Sequence, residues 1–377
     1  MKRYLDDLIL KDLRRKMVIV TGPRQVGKTT LSKQLLPHFT AGQYLNWDVA
    51  EDRVVLSRQS WRSDAGLLVF DEIHKMPLWK NWLKGVFDGR REDQAILVTG
   101  SASMDTFRYS GDSMAGRFFA YRLHPFSVKE WCDTTGTEPK AALAHLIERG
   151  GFPEASLADD EVDAQRWRGL YLDRMVRDDI LDFSRIQEVS RMRVLIELLR
   201  DRVGSPLSMA SLARDLSVAP KTVSNYLDIL QALFVVFTVR PWHDNVARGL
   251  TQMPKVYFYD TGLVRGDHGV KLENATATML LKHVHFLKDS QGRETELHYI
   301  RTKDCAEVDF ALSDGEELTD LIECKATDGN LHLALRRFAR QWPHAKAVQI
   351  VGDLRQPQTR EGIDIVDAAP WLAGLAA

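Results

Sequence analysis

No run of about 18 consecutive apolar residues, the length a membrane-spanning helix needs, occurs anywhere in this 377-residue chain. Cysteine is scarce too: Cys132, Cys305 and Cys324 are widely spaced and odd in number. They make neither a disulfide framework nor a zinc-ligand pattern, and they fit a reducing, cytoplasmic setting. Excess charge of one sign is also missing. With 51 Lys and Arg against 52 Asp and Glu, the net charge is −1, so contact with a polyanion would have to come from local patches. There are no internal repeats and no low-complexity tracts, and the opening MKRYLDDLIL is charged and amphipathic, unlike a signal peptide. What is present is an ordinary globular composition in a chain too long for one typical core, so two or three domains are expected.

The strongest local signal is KMVIVTGPRQVGKTTLSKQLL. A short apolar strand, Met17 to Val20, runs into Gly22, Pro23, Arg24, Gln25, Val26, Gly27, Lys28 and Thr29, followed by Thr30 and a helical pattern. This is G-x-x-x-x-G-K-T in the strand–loop–helix setting the motif requires. Its glycines let backbone N–H groups face phosphates, and the helix N-terminus adds positive potential. Lys28 would reach the β- and γ-phosphates of a nucleoside triphosphate, and the Thr29 hydroxyl would ligate Mg²⁺.

A second strand, Leu67 to Phe70 in GLLVFDEIHK, ends in Asp71 and Glu72. Carboxylates at the C-terminal end of a buried parallel strand stand in the crevice where α/β sheets bind ligands. Asp71 would hold the Mg²⁺ shell, and Glu72 would orient or deprotonate the attacking water. A third strand, QAILVTGSAS, ends in Thr99 and Ser101, either of which could sense the γ-phosphate or simply cap the next helix. With an inserted strand near QYLNWD, these pieces describe a P-loop NTPase core.

GPRQVGKTT, LLVFDEIHK, TGSAS, AGR ahead of LHPFSVKEW, and GGFPEA at 150–155 resemble a large group of prokaryotic AAA-type ATPases. Chains of that group continue into a C-terminal domain of unknown function that looks like a PD-(D/E)xK nuclease. The resemblance covers essentially the whole chain. It implies ATP hydrolysis, a homo-oligomer (a hexameric ring among the options) and association with DNA. Arg117 lies where AAA-type proteins often present an arginine to a neighbour's nucleotide, and it equally fits a salt-bridged surface residue.

The expected architecture is α/β: a P-loop AAA-type core over 1–154, a helical lid over 155–200, a winged helix-turn-helix over 201–268 and a restriction-endonuclease-like domain over 269–377. In the third segment a helix from Met209 to Leu216 is followed by a turn, and a second helix starts near Lys221 with Pro220 in its first turn. Val223, Tyr226, Leu227 and Leu230 form its buried stripe. The opposite face offers Lys221, Thr222, Ser224, Asn225 and Asp228, short polar side chains with one lysine at a helix N-terminus, which suit DNA phosphate contacts and groove reading. No Arg stands there to read guanine, so contacts that ignore sequence are expected.

In the last segment, period-two alternation puts Val308, Phe310 and Leu312 on one strand face and Asp309 on the other. Likewise Ile322, Cys324 and Ala326 oppose Glu323 and Lys325. Asp309-x(13)-Glu323-x-Lys325 matches the PD-(D/E)xK pattern, in which Asp309 and Glu323 would hold Mg²⁺ and Lys325 would assist the water. Glu273 is similar to the extra acid such nucleases carry; read as first-turn, it could serve the helix N-terminus instead. The alternative for the trio is a solvated sheet face with a cross-strand ion pair. On LHLALRRFARQW, Leu331, Leu335, Phe338 and Trp342 share a face and leave Arg336, Arg337 and Arg340 for phosphates. Three functions fit: an oligomeric Mg²⁺-dependent ATPase acting on DNA by binding, remodelling or translocation, in recombination or repair; an ATP-dependent endonuclease using Asp309, Glu323 and Lys325; and a nucleotide-gated regulator of a protein partner. None involves a membrane.

Overall fold

The computed structural model describes residues 1–100, 114, 116–175, 186–243, 252–327 and 329–377. The chain divides into two compact units, Met1–His124 and Pro125–Ala377. No helix among the described residues is long and apolar enough to cross a membrane.

The first unit is built on β1 (Met17–Thr21), β2 (Gln43–Asn46), β3 (Leu67–Asp71), β4 (Ala95–Thr99) and β5 (Phe118–Arg122). They lie in the order β2-β3-β4-β1-β5, with every neighbouring pair parallel. Residues of β1, β3 and β4 are buried throughout. That is why their sequences are near-continuous apolar runs: a parallel sheet covered on both faces has no solvated side to alternate with. β4 sits between β1 and β3, so the C-terminal ends of these three strands open on one crevice. α1 (Lys28–Leu35) starts at that crevice, and α2 (Trp79–Gly89) lies between β3 and β4 in the chain. One core cluster contains Met17, Ile19, Leu68, Phe70, Ile96 and Val98, with Trp61 and Trp82 packed against it. Phe70 is fully buried, its ring centroid 5.5 Å from that of Trp61 and 5.2 Å from that of Trp82.

The second unit carries a mixed eight-stranded sheet. Its strands are β6 (Val236–Pro241), β7 (Lys255–Phe258), β8 (Thr295–Arg301), β9 (Glu307–Asp314), β10 (Glu317–Lys325), β11 (Lys346–Val351), β12 (Gln358–Arg360) and β13 (Ile363–Asp367). The order is β12-β13-β11-β10-β9-β8-β6-β7. The expected helix pair is present as α3 (Met209–Leu216) and α4 (Pro220–Ala232), with Val223, Tyr226, Leu227 and Leu230 buried. β6 and β7 follow as an antiparallel pair. β6 also pairs in parallel with β8 through Arg240 and His298, so one sheet runs across the expected boundary at 268/269. Residues 125–154, expected with the nucleotide-binding core, fall in the second unit. There Glu130 and Lys282 form a buried ion pair at 2.5 Å. In the expected lid, Glu161–Arg174 and Ile186–Arg200 are helical.

α5 (His268–Gln291) and α6 (Leu333–Gln341) pack on this sheet. Leu335 and Phe338 of α6 are buried in a cluster with Val308, Ala311 and Leu321, and Leu331 and Trp342 are partly buried against it. Thus the helix inserts the apolar stripe its spacing predicted. Its arginines are left outside.

Phe70 anchors the strand that ends in Asp71, and replacing it opens a cavity among tryptophans that cannot all relax. Phe70→Ala is expected to destabilise the first unit by about 3–5 kcal/mol, measured by urea unfolding followed through tryptophan fluorescence.

Candidate functional site

The loop Gly22–Gly27 joins β1 to α1. Gly22 and Gly27 have φ of +149° and +99°, and a Cβ at Gly22 would lie 2.3 Å from the Leu123 carbonyl oxygen. Glycine is therefore required by space as well as by conformation. Pro23 and Val26 are buried, Arg24 is half-buried and Gln25 is exposed with φ of 59°. The N-terminal segment braces this loop, since Arg3 donates to the carbonyls of Val26 and His124, each at 2.7 Å. Thr29 and Thr30 stand exposed on the first turn of α1.

Lys28 is buried, and its Nζ donates to the carbonyls of Gly22 at 2.9 Å and Pro23 at 2.6 Å. Burial lowers its pKa to about 8, against the opposing pull of Glu72 and Asp71.

Asp71 draws the crevice together. Its Oδ2 accepts from the Thr29 hydroxyl at 2.8 Å and the Tyr44 hydroxyl at 2.5 Å. Its Oδ1 accepts from the Thr99 hydroxyl at 2.6 Å and the Glu72 backbone N–H at 3.1 Å. Tyr44 on β2 was not anticipated. Asn46 of the same strand pairs with Asp71 in register, and Asn46 Nδ2 lies 3.4 Å from the Tyr44 hydroxyl. Burial, then the hydrogen bond to Asp71, pushes the Tyr44 phenol up from its ordinary range.

Glu72 has a left-handed backbone, φ 56°, and its carboxylate lies 3.2 Å from Lys75 Nζ. Arg117 makes a two-pronged pair with Asp88, at 2.8 and 3.1 Å, which is the surface-bridge alternative seen in this chain by itself. Ser101 lies outside the described residues. The donor set fits a magnesium nucleotide: backbone N–H groups around a glycine cradle, an ammonium, and a hydroxyl beside a carboxylate. Thr29 and Asp71 would hold the ion.

In the second unit Asp309, Glu323 and Lys325 do come together. The Asp309 N–H lies 3.4 Å from Glu323 Oε2, and Lys325 Nζ is 2.6 Å from Glu323 Oε1. A β-bulge helps place them: Asp309 and Phe310 stand opposite Tyr299 alone, between the pairs His298–Ala311 and Ile300–Val308. The solvated-face alternative does not hold for Glu323, whose side chain is 2% exposed on a central strand. Burial, then Glu323 and Glu273, pushes the Asp309 carboxyl well above the usual carboxylate range.

The first-turn reading of Glu273 needs correcting. Asp267 caps α5 by accepting from Val270 N–H at 3.0 Å, so Glu273 lies beyond the first turn. Its Oε1 accepts from the Tyr257 hydroxyl at 2.7 Å and from Lys255 Nζ at 3.4 Å. His332 also joins, with Nδ1 3.0 Å from Glu323 Oε1. Neither Lys255 nor His332 was picked out by sequence pattern. Among the described residues no group of three or more His, Cys, Asp and Glu is arranged to hold a metal ion.

The residues expected to meet DNA are on α4 and α6. On α4, Lys221 and Asn225 are exposed, Thr222 and Ser224 are half-buried, and the Ser224 hydroxyl donates back to the Pro220 carbonyl at 3.3 Å. On α6, Arg336 and Arg340 both pair with Glu361, and Arg337 pairs with Asp304.

Residues 14–132 match the family model of an AAA domain, and residues 140–273 match a domain of unknown function (DUF8612). An uncharacterized protein of Mycobacterium tuberculosis is 32% identical over 257 residues, 67% of this chain and 56% of that protein. The chain thus spans little more than half the length of that relative. An uncharacterized protein of Haemophilus influenzae is 21% identical, with 98% of each chain covered. Among solved structures, a Walker-type ATPase of Pyrococcus abyssi superposes with a TM-score of 0.40 at 12% identity, covering 68% of this chain and 93% of that one.

Lys28 supplies a pH test of the crevice. In the free protein its ammonium is lost as pH rises through about 8, while phosphate needs it charged. ATP affinity is therefore expected to be flat below that pH and to fall roughly tenfold per unit above it, with proton uptake on binding. Calorimetry in buffers of different ionisation heat checks both. An affinity that stays constant well above that pH contradicts the assignment.

Proposed function

We propose that this AAA-type P-loop ATPase hydrolyses ATP and uses the cycle to act on DNA by binding, remodelling or translocating it. The observation that carries the hydrolytic reading is the convergence of the Thr29 and Thr99 hydroxyls on Asp71, with Glu72 next to it in the chain. In this reading the loop N–H groups and the Lys28 ammonium hold the β- and γ-phosphates, and Lys28 exchanges its two carbonyl partners for them. Thr29 and Asp71 hold Mg²⁺, which when bound neutralises charge on the phosphate oxygens. Glu72 turns from Lys75 to accept the proton of the attacking water, and Thr99 fixes Asp71 beside it. Arg117 exchanges Asp88 for the nucleotide of a neighbouring copy, so hydrolysis depends on a homo-oligomeric assembly.

The DNA arm of the proposal rests on α3, α4 and the β6–β7 pair, a helix-turn-helix followed by an antiparallel hairpin, which we read as a winged helix. Lys221, Thr222, Ser224 and Asn225 face outward from its second helix and suit phosphate and sugar contacts. Arg336, Arg337 and Arg340 add a second basic edge. Their partners are exposed carboxylates, and such surface pairs contribute only about 0–1 kcal/mol, so a phosphate displaces them readily. A second reading, ATP-dependent endonuclease, is favoured by the meeting of Asp309, Glu323 and Lys325 in a nuclease-like sheet. The third, a regulator of a protein partner, has no such observation behind it.

ATPase rates measured without DNA and with single strands, duplex and a branched junction test the proposal. Lys28→Ala is expected to lower every rate by about 10²–10³, the scale of losing one charge-stabilising group. DNA is expected to stimulate the unaltered protein, and Lys221→Glu or Arg337→Glu to weaken that stimulation with a shallower salt dependence. Failure of every DNA form to stimulate or to bind at low salt would overturn the DNA arm and leave the protein-partner reading.

A further inference from the structure

Lys255 enters the carboxylate cluster from β7, the far edge strand of the sheet. Its side chain is 1% exposed. Its Nζ lies 2.6 Å from Glu307 Oε1, 3.4 Å from Glu273 Oε1 and 3.6 Å from Asp309 Oδ1. An ammonium so far from water is retained only because carboxylates surround it.

Most of the oxygens that a divalent ion would need are already engaged. Asp309 Oδ1 faces Lys255, and Asp309 Oδ2 accepts from the Cys324 N–H at 3.0 Å. Glu323 Oε1 faces Lys325 and His332, while Glu323 Oε2 is approached by the Asp309 N–H. Glu273 accepts from Tyr257 as well as from Lys255. Glu307 has a second cation, Arg301, at 2.7 Å. Lys255, Lys325 and Arg301 therefore offset most of the negative charge of Glu273, Glu307, Asp309 and Glu323. A divalent ion placed at Asp309 would meet a buried positive charge a few ångströms away, in surroundings of low dielectric that screen it weakly.

We infer that Lys255 is a built-in cation standing where a PD-(D/E)xK nuclease binds its metal, so that this cluster takes no divalent ion and cuts no phosphodiester bond. The inference rests on the nuclease-like reading of Asp309, Glu323 and Lys325, and it turns that domain from cutting to holding. The lysine does electrostatically what the ion would do. It offers no coordination position for a water, so it cannot supply the metal-bound hydroxide that cutting a phosphodiester bond would need.

The test is Mn²⁺ binding to the full chain without nucleotide, followed by electron paramagnetic resonance. The unaltered protein and Asp309→Asn are expected to bind Mn²⁺ identically. Lys255→Met, which keeps the length of the side chain and removes its charge, is expected to gain one site, with roughly tenfold or greater tightening. The double variant Lys255→Met with Asp309→Asn is expected to lose that site again. A site in the unaltered protein that Asp309→Asn removes overturns the inference, as does Lys255→Met without a gain. Should Lys255→Met fail to fold, the first comparison still decides, since it needs no change at Lys255. Incubation of supercoiled plasmid with Mn²⁺ gives a separate readout: intact plasmid is expected, and nicking that Asp309→Asn abolishes overturns the inference. Neither readout uses ATP hydrolysis or DNA stimulation, so failure here is distinguishable from failure of the ATPase reading.

Discussion

The first unit depends on one buried carboxylate. Asp71 is 2% exposed at the end of a fully apolar strand, where an unpartnered charge would be very costly. It is tolerated because Thr29, Tyr44, Thr99 and the Glu72 N–H all donate to it. Those donors come from the start of α1, from β2, from the end of β4 and from the residue following β3. Satisfying one acceptor therefore sets the relative positions of the elements around the crevice. The chemistry then follows from the same constraint, since the hydroxyl and carboxylate that satisfy each other are the pair suited to a magnesium ion.

The second unit meets the same cost in a different way. Its sheet buries Glu323 and half-buries Glu273, Glu307 and Asp309, and balances them with cations from β7, β8 and β10. The Asp309 carboxyl is pushed upward by burial, Glu323 and Glu273, against the pull of Lys255. The basic residues of α6 lie on the outside, paired with acids exposed to water. One set of charges is fixed by burial and holds the fold. The other set is held only by exposed surface pairs, which contribute about 0–1 kcal/mol each.

Much of this was legible in the sequence where a short period or a local motif carried the information. The strands MVIV, LLVF and AILV, the bounds of α3, the start of α4, and the buried stripe of Val223, Tyr226, Leu227 and Leu230 all follow from local pattern. Asp309, Glu323 and Lys325 were found by alternation, although a bulge at Asp309 and Phe310 interrupts that alternation and explains why Val308 and Ala311 share a cluster. Tyr44 and Lys255 were not legible. Each reaches its partners from a strand whose place in the sheet depends on long-range pairing, which no local period encodes. Glu273 was misplaced because the capping residue, Asp267, precedes the apolar segment by several residues.

The most direct test of the account is Asp71→Asn, which keeps the shape of the side chain and removes its charge. Fluorescent ATP binding should be measured with and without Mg²⁺ beside the hydrolysis rate. The account predicts that the variant still binds nucleotide, no longer gains affinity from Mg²⁺, and loses hydrolysis. A variant that hydrolyses ATP at the original rate with the original Mg²⁺ dependence would contradict it.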